Sequence, residues 1–340
     1  MIWLTWRQFR AQAIVAGAAL VAVAIALLAT GPHLAALFDD NGLATCRTGC
    51  AADAGNFINQ VKGSTTELVF YGSIFLVYAV PALIGLFWGA PLVTREFEAG
   101  TFRLAWNQSV SRARWIAVKL GLIGLAAMVT AGLISLMTSW WAGPLYQAAQ
   151  KAGQNSLSIN KFSSPLFGAT GIAPVGYAAF AFALGVTVGV LIRRTLPAMA
   201  ITLAIFAAIQ IFWPGLVRPH LIPPLHGTEP LAAVTFNGFG ETGNGQLVMT
   251  IGSISGQSGD WVIGGHVVNA ARQPATRVPS ACAQASNTFI PCLASHGIRM
   301  AVTYQPASRY WKLQWCETGV FLALAAGLGG LCFWRIRRLN

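Results

Sequence analysis

Along much of this chain, apolar residues come in long unbroken runs rather than at one-face or alternating spacing. Windows of about 19 residues pick out six of them, at 13–30, 68–93, 116–141, 172–192, 196–217 and 315–334. Each is long enough to cross the roughly 30 Å hydrocarbon layer of a bilayer as a helix. The chain therefore reads as an all-α integral membrane protein with six transmembrane helices. Before the first run, Ile2-Trp3-Leu4-Thr5-Trp6-Arg7-Gln8-Phe9-Arg10 reads as a short amphipathic lead-in helix over 1–11. It would hold Trp3, Trp6 and Phe9 at headgroup level and Arg7 and Arg10 in water. The run at 13–30 exceeds the roughly 7–15 residues of a signal-peptide core, so an uncleaved anchor is expected.

The polar connectors divide by length. Segments 94–115 and 193–195 are short; 31–67, 143–171 and 218–314 are longer. The last is long enough to form an external unit between spans five and six. It is rich in Gly, Ser, Thr, Asn and Pro, and within it 246–254 and 261–268 read as strands. The expected organisation is a lead-in at 1–11, spans one to five over 12–217, an external loop domain at 218–314, and span six with a basic tail at 315–340.

Charge orients this arrangement. Only 9% of the 340 residues are charged and 55% are hydrophobic, against roughly 25% charged in a soluble domain. The net charge of +12 would suggest nucleic acid in a soluble protein. Here more than half of the 22 basic residues crowd onto one side: Arg7 and Arg10; Arg95, Arg103, Arg112, Arg114 and Lys119; Arg193 and Arg194; Arg335, Arg337 and Arg338. The positive-inside rule puts that side, and both termini, in the cytoplasm of a cell-membrane protein.

The cysteines agree with this map. Cys46 and Cys50 fall in the first external connector, Cys282 and Cys292 in the third. Paired cysteines on an oxidising face suggest two local disulfides; for Cys46 and Cys50 a free pair or metal ligation stays open. Cys316 and Cys332 lie in the last span. The five histidines are all external and lack tight ligand spacing, so no metal site is expected.

Catalytic patterns do not appear. There is no phosphate-binding loop of the G-x-x-x-x-G-K-[ST] type, no H-E-x-x-H and no G-x-S-x-G. Gly238-Phe239-Gly240-Glu241-Thr242-Gly243 has dinucleotide-loop spacing but no strand-to-helix context, and reads as a turn cluster. Gly185-x-x-x-Gly189 offers a face for close helix packing. Tyr71, Tyr78, Phe206, Gln210 and Trp213 supply the aromatic and weakly polar mixture that a substrate pathway would use. Glu317 is the one acid near a span, beside Lys312 and Arg309 in sequence. A proton-coupled carrier would bury ionisable groups near the midplane, so ion-driven transport is not expected.

The charged connector after the second span is the most specific feature. Arg95-Glu96-Phe97-Glu98-Ala99-Gly100-Thr101, then Gln108-Ser109-Val110-Ser111-Arg112 and Lys119-Leu120, resembles the cytoplasmic signature of ABC-2 type transporter permeases, in particular those of actinobacteria. The span order, the large loop before the last span and Tyr304-Gln305-Pro306-Ala307-Ser308-Arg309-Tyr310-Trp311 agree with that resemblance. It implies a permease that dimerises, as a homo- or heterodimer, and binds two copies of a cytoplasmic ATP-binding cassette ATPase. ATP and Mg would be held by that partner, with no cofactor in this chain. Arg95, Glu96, Phe97, Glu98, Gly100, Thr101, Phe102 and Arg103 would form the coupling element, with Thr101 as a helix cap and Gly100 permitting a tight turn. The expected role is export of a hydrophobic or amphiphilic substrate such as a drug, antibiotic, lipid or peptide. The alternatives are a lipid or glycan-precursor exporter, or a membrane receptor that senses ligand through its external loop.

Overall fold

A computed structural model describes residues 2–100, 112–151, 161–241, 247–254, 259–275, 279, 281–282 and 289–338. Among the described residues, six helices are long and apolar enough to cross a membrane. They are α1 (Ile2–Asp40), α3 (Thr65–Ile84) continued by α4 (Pro91–Glu98), α5 (Arg112–Trp141), α8 (Ala173–Ile192), α9 (Thr195–Leu216) and α11 (Tyr310–Arg337). Short helices α2 (Ala51–Val61), α6 (Gly143–Lys151) and α7 (Ser164–Ala169) lie between them.

The lead-in does not form a helix of its own. α1 is continuous for 39 residues, roughly 58 Å at 1.5 Å per residue, because nothing between Arg10 and Ala13 breaks a helix. Trp3 and Trp6 are exposed, but Phe9 is buried, edge-on to Trp88 at 4.8 Å. At its other end α1 runs past the expected boundary. Leu34, Leu37 and Phe38 continue the one-face spacing and pack with Phe57, Ile58 and Val61 of α2 and with Trp141 and Leu145. What reads as an open loop at 31–67 is therefore a helical cap with a small core, in which the sulfurs of Cys46 and Cys50 are at bonding distance.

The second span starts on a strong signal. The Ser64 hydroxyl accepts from Thr66 N, and Glu67 reaches back to Gly63 N, a variant of the reciprocal cap that Ser-x-x-Glu encodes. Between Gly85 and Gly89 the helix widens into a π turn, with Ala90 N bonded to Gly85 O at 2.9 Å. Gly185 and Gly189 of α8 lie against that turn: a methyl on Gly189 would sit 2.8 Å from Ala90 O, and one on Gly89 would sit 2.6 Å from Phe182 O. The small-residue face therefore packs within the chain, where bare backbones can approach.

α8 is the axis of the bundle. It is apolar all round and buried along nearly its whole length, as expected of a helix enclosed by others. α3, α4, α5, α9 and α11 surround it. α1 and α9 lie outside, with Ile14, Val15, Val21, Ile25, Leu203, Ile211 and Phe212 exposed at lipid depth. Trp140, Trp311 and Trp315 are exposed near one set of helix ends and Trp334 near the opposite set, where amphipathic rings favour the interface.

The external segment is a β unit. β1 (Leu225–Pro230), β5 (Arg299–Gln305) and β4 (Trp261–Val268) form an antiparallel sheet in the order β1-β5-β4, and β2 (Val234–Glu241) pairs with β3 (Leu247–Ile254). Leu231, Val234, Met249, Val267, Met300 and Val302 fill the core, with Leu293 from α10 (Phe289–Ser295). The strands expected at 246–254 and 261–268 correspond to β3 and β4. Cys282 and Cys292 are at bonding distance beside this core. The unit is tied to the spans: Gln305 Nε2 donates to Ile222 O at 2.7 Å, and Arg309 donates to Pro223 O at 2.9 Å. Only one 3₁₀ turn, Ala307–Arg309, separates β5 from α11.

Candidate functional site

Two polar clusters stand at opposite ends of the bundle. The one at the end that the charge pattern predicts to be cytoplasmic contains the expected coupling residues. Arg95, Glu96, Phe97 and Glu98 form the last turn of α4, so they extend the second span rather than opening a separate helix. Ala99 N and Gly100 N close that end onto Arg95 O and Phe97 O, and Gly100 takes φ +67°, the turn expected of it. Thr101, Phe102 and Arg103 lie outside the described residues.

Both acids of this turn are engaged inside the chain. Glu96 is ion-paired with Lys119 of α5, a buried lysine whose ammonium also lies 4.6 Å from the Trp115 ring. Glu98 accepts from Thr195 N at 2.7 Å and from Thr195 Oγ1 at 2.8 Å. Thr94 Oγ1 lies 2.9 Å from Thr195 Oγ1. The Arg193 guanidinium covers the Phe97 ring at 5.7 Å. Arg193 itself, at φ +59°, ends α8 in the left-handed conformation and turns the chain into α9 within two residues. Arg95, Arg193 and Arg194 are exposed. The Arg95–Glu98 turn is thus joined to span three through Glu96 and to span five through Glu98, with Arg95, Arg193 and Arg194 on its outer surface.

The second cluster, at the end read as external, is built on Glu317. Its neighbours in sequence do not hold it: Lys312 is exposed, and Arg309 bonds to Pro223 O and Gln305 Oε1. The partner is Arg218, at the end of span five, joined through Nε at 2.8 Å and Nη2 at 3.0 Å. Both side chains are fully buried. The Tyr177 hydroxyl donates to the same carboxylate, and the Arg218 guanidinium lies 4.3 Å over Phe167. Gln314, one turn before Glu317, donates to Phe167 O at 2.8 Å and accepts from Ile172 N and Ala173 N at the start of α8. Tyr310 and Thr170 share a 2.7 Å hydrogen bond. The signal was partly legible: Tyr310, Gln314, Glu317 and Phe321 repeat at helical spacing on one face of α11. Arg218 was missed because it is distant in sequence and counts as a loop residue by hydropathy.

The expected pathway residues separate. Tyr78 donates to Ser164 O at 3.0 Å and stacks with Tyr177 at 6.5 Å; Trp213 packs on Phe321 at 4.6 Å; Phe206 is buried in the same cluster and Gln210 is half-buried. Tyr71 is half-exposed on the outer surface of α3 and does not join them. A neighbouring cavity lined by Ser73, Val77, Thr138 and Thr170 measures about 10 Å³, room for about one water. Outside the membrane, His296 Nδ1 approaches Cys282 Sγ to 3.7 Å. The ligand atoms of Cys282, Cys292 and His296 all lie within 4.8 Å of one another, and the two sulfurs are at disulfide distance.

No curated protein and no solved structure matches the chain. The family described as ABC-2 membrane transporter related matches residues 17–218. That interval runs from the first span to Arg218, taking in the Arg95–Glu98 turn, the π turn and the axial helix and stopping before the β unit. It covers more than half of a chain whose described residues include six membrane-length helices and a charged turn after the second. This chain accordingly belongs to the ABC-2 membrane transporter related family, as a multi-pass permease subunit that associates with an ATP-binding cassette partner.

Proposed function

We propose that this permease is the membrane half of an ATP-driven exporter in the cytoplasmic membrane, moving a hydrophobic or amphiphilic substrate outward. Two copies of a cytoplasmic ATPase would bind ATP and Mg and do the hydrolysis. Two permease copies would flank the path. The observation that carries this reading is the cytoplasmic turn, where Arg95–Glu98 ends span two and is bonded to spans three and five. A partner pressing on that turn would act on three spans together. The nearly charge-free membrane interior supports an apolar cargo. The external Arg218–Glu317 pair is neutral as a unit and sealed by Tyr177 and Phe167, which favours a structural role over ion coupling.

The decisive experiment is co-purification of the chain with its ATPase, followed by ATP hydrolysis in lipid with and without candidate amphiphiles. Assembly with hydrolysis that rises on adding cargo supports the reading; a permease that binds no ATPase refutes it. Orientation is read separately. A cysteine placed at Ser258 should react with an impermeant thiol reagent in intact cells, and one at Arg338 should not.

A further inference from the structure

We infer that Glu98 is a transmission residue, joining the coupling turn to the first turn of span five so that displacement of one moves the other. The inference builds on the coupling reading above. α9 starts without a cap from its own neighbourhood: Arg193 is left-handed, and Arg194 is extended and makes no capping bond. The first N–H groups of a helix have no partner within it, and Pro197 contributes none. The Glu98 carboxylate, 97 residues earlier, supplies the cap by accepting from both Thr195 N and Thr195 Oγ1. A carboxylate is the favoured charge at that helix end. Thr94, one turn before Glu98 on the same face of α4, adds a second tie to Thr195, its hydroxyl proton shared between Thr195 Oγ1 and Ala90 O, each at 2.9 Å. One turn further back, Ala90 meets Gly189 at backbone contact, which keys α4 against the axial helix.

Elsewhere α9 is held loosely. Ala198, Thr202 and Phe206 are its buried residues, and much of the remainder faces outward. A helix gripped at its cytoplasmic end and loosely packed beyond follows the grip. A cap that only stabilised α9 would need neither the second tie from Thr94 nor a partner at the end of the coupling turn.

The test uses the full chain in lipid nanodiscs, alone and with its ATPase, carrying spin labels at the exposed positions Ala99 and Leu196. Thr195→Pro removes both donors yet suits the first position of a helix, and the extended Arg194 already has the backbone that a following proline requires. In the parent chain the label distance should be narrowly distributed with and without ATP and vanadate. Thr195→Pro should lose the narrow distribution while still binding the ATPase, and Thr195→Ser, which keeps both donors, should restore it. If Thr195→Pro does not fold, Glu98→Ala should give the same broadening. A distribution as narrow in these variants as in the parent overturns the inference. Failure of the parent to bind an ATPase would instead sink the coupling reading, and the distances in the permease alone would still decide whether the brace exists.

Discussion

The two ends of this bundle use the same chemistry to opposite purpose. At the external end, Glu317 and Arg218 are both fully buried, and tyrosine, glutamine and backbone groups close around them. At the end read as cytoplasmic, Lys119 is buried beneath a partly exposed Glu96, but Glu98 is exposed and its bonds to Thr195 lie at the surface. A buried ion pair is costly to break because the survivor has no water to turn to. An exposed bond is cheap to break and remake, which suits a surface that another protein moves. The comparison assigns rigidity to the outer end and adjustability to the inner one.

The largest expected effect comes from breaking the rigid end. Arg218→Ala leaves Glu317 buried without its cation and should cost about 3–5 kcal/mol. The expected outcome is a sharp fall in the melting temperature followed by size exclusion in detergent. Arg218→Met combined with Glu317→Leu should recover most of it. Recovery by the apolar pair would show that the site needs satisfaction rather than charge.

A smaller loss is expected where the ends are linked. Gly185→Val places a branched side chain against the backbone of Gly89 and Ala90. Overpacking of this kind costs about 1–3 kcal/mol. Because the π turn would be pushed off α8, ATPase binding should weaken along with stability, whereas Arg218→Met/Glu317→Leu should affect binding little. Pull-down with the ATPase separates the two.

The smallest expected effect is at the adjustable end. Lys119→Met removes a buried ammonium that faces Glu96 and Trp115. Glu96 keeps some access to water, so the cost should be about 1–2 kcal/mol, seen as a modest melting shift. If Lys119→Met destabilises as strongly as Arg218→Ala, the contrast between the two ends fails.

How much of this was legible follows from which signals are local. The six spans stand in the hydropathy, and β3 and β4 showed themselves by short apolar runs between turn residues. The cap over the first span was hidden because Leu34, Leu37 and Phe38 follow Pro32, which argues for an end that the tertiary packing overrides. The charged turn announced a contact but not its partners. Glu98 reads in the sequence as part of a contact with a partner ATPase, with nothing to point to Thr195, and Glu317 stands beside Lys312 and Arg309 in sequence, with nothing to point to Arg218. Each failure is a pairing across one or more intervening spans or the β unit, which spacing along one helix cannot encode.

The π turn at Gly85–Gly89 sets the aim of everything after it. An i→i+5 turn holds one more residue than an α turn, and one residue is about 100° of rotation about the helix axis. The residues from Pro91 to Glu98 are therefore advanced by that angle relative to Thr65–Ile84. Rewound as a plain α-helix, the same sequence would swing the Glu98 carboxylate away from Thr195 and carry Glu96 off Lys119. The extra residue acts as an angular register mark: lipid-facing and core-facing positions are assigned on one side of it, and cytoplasmic bonding partners on the other. Deleting Leu86 alone would let the turn close as plain α-helix with Glu96 and Glu98 still facing their partners, whereas a substitution that rewound the turn at full length would misdirect both.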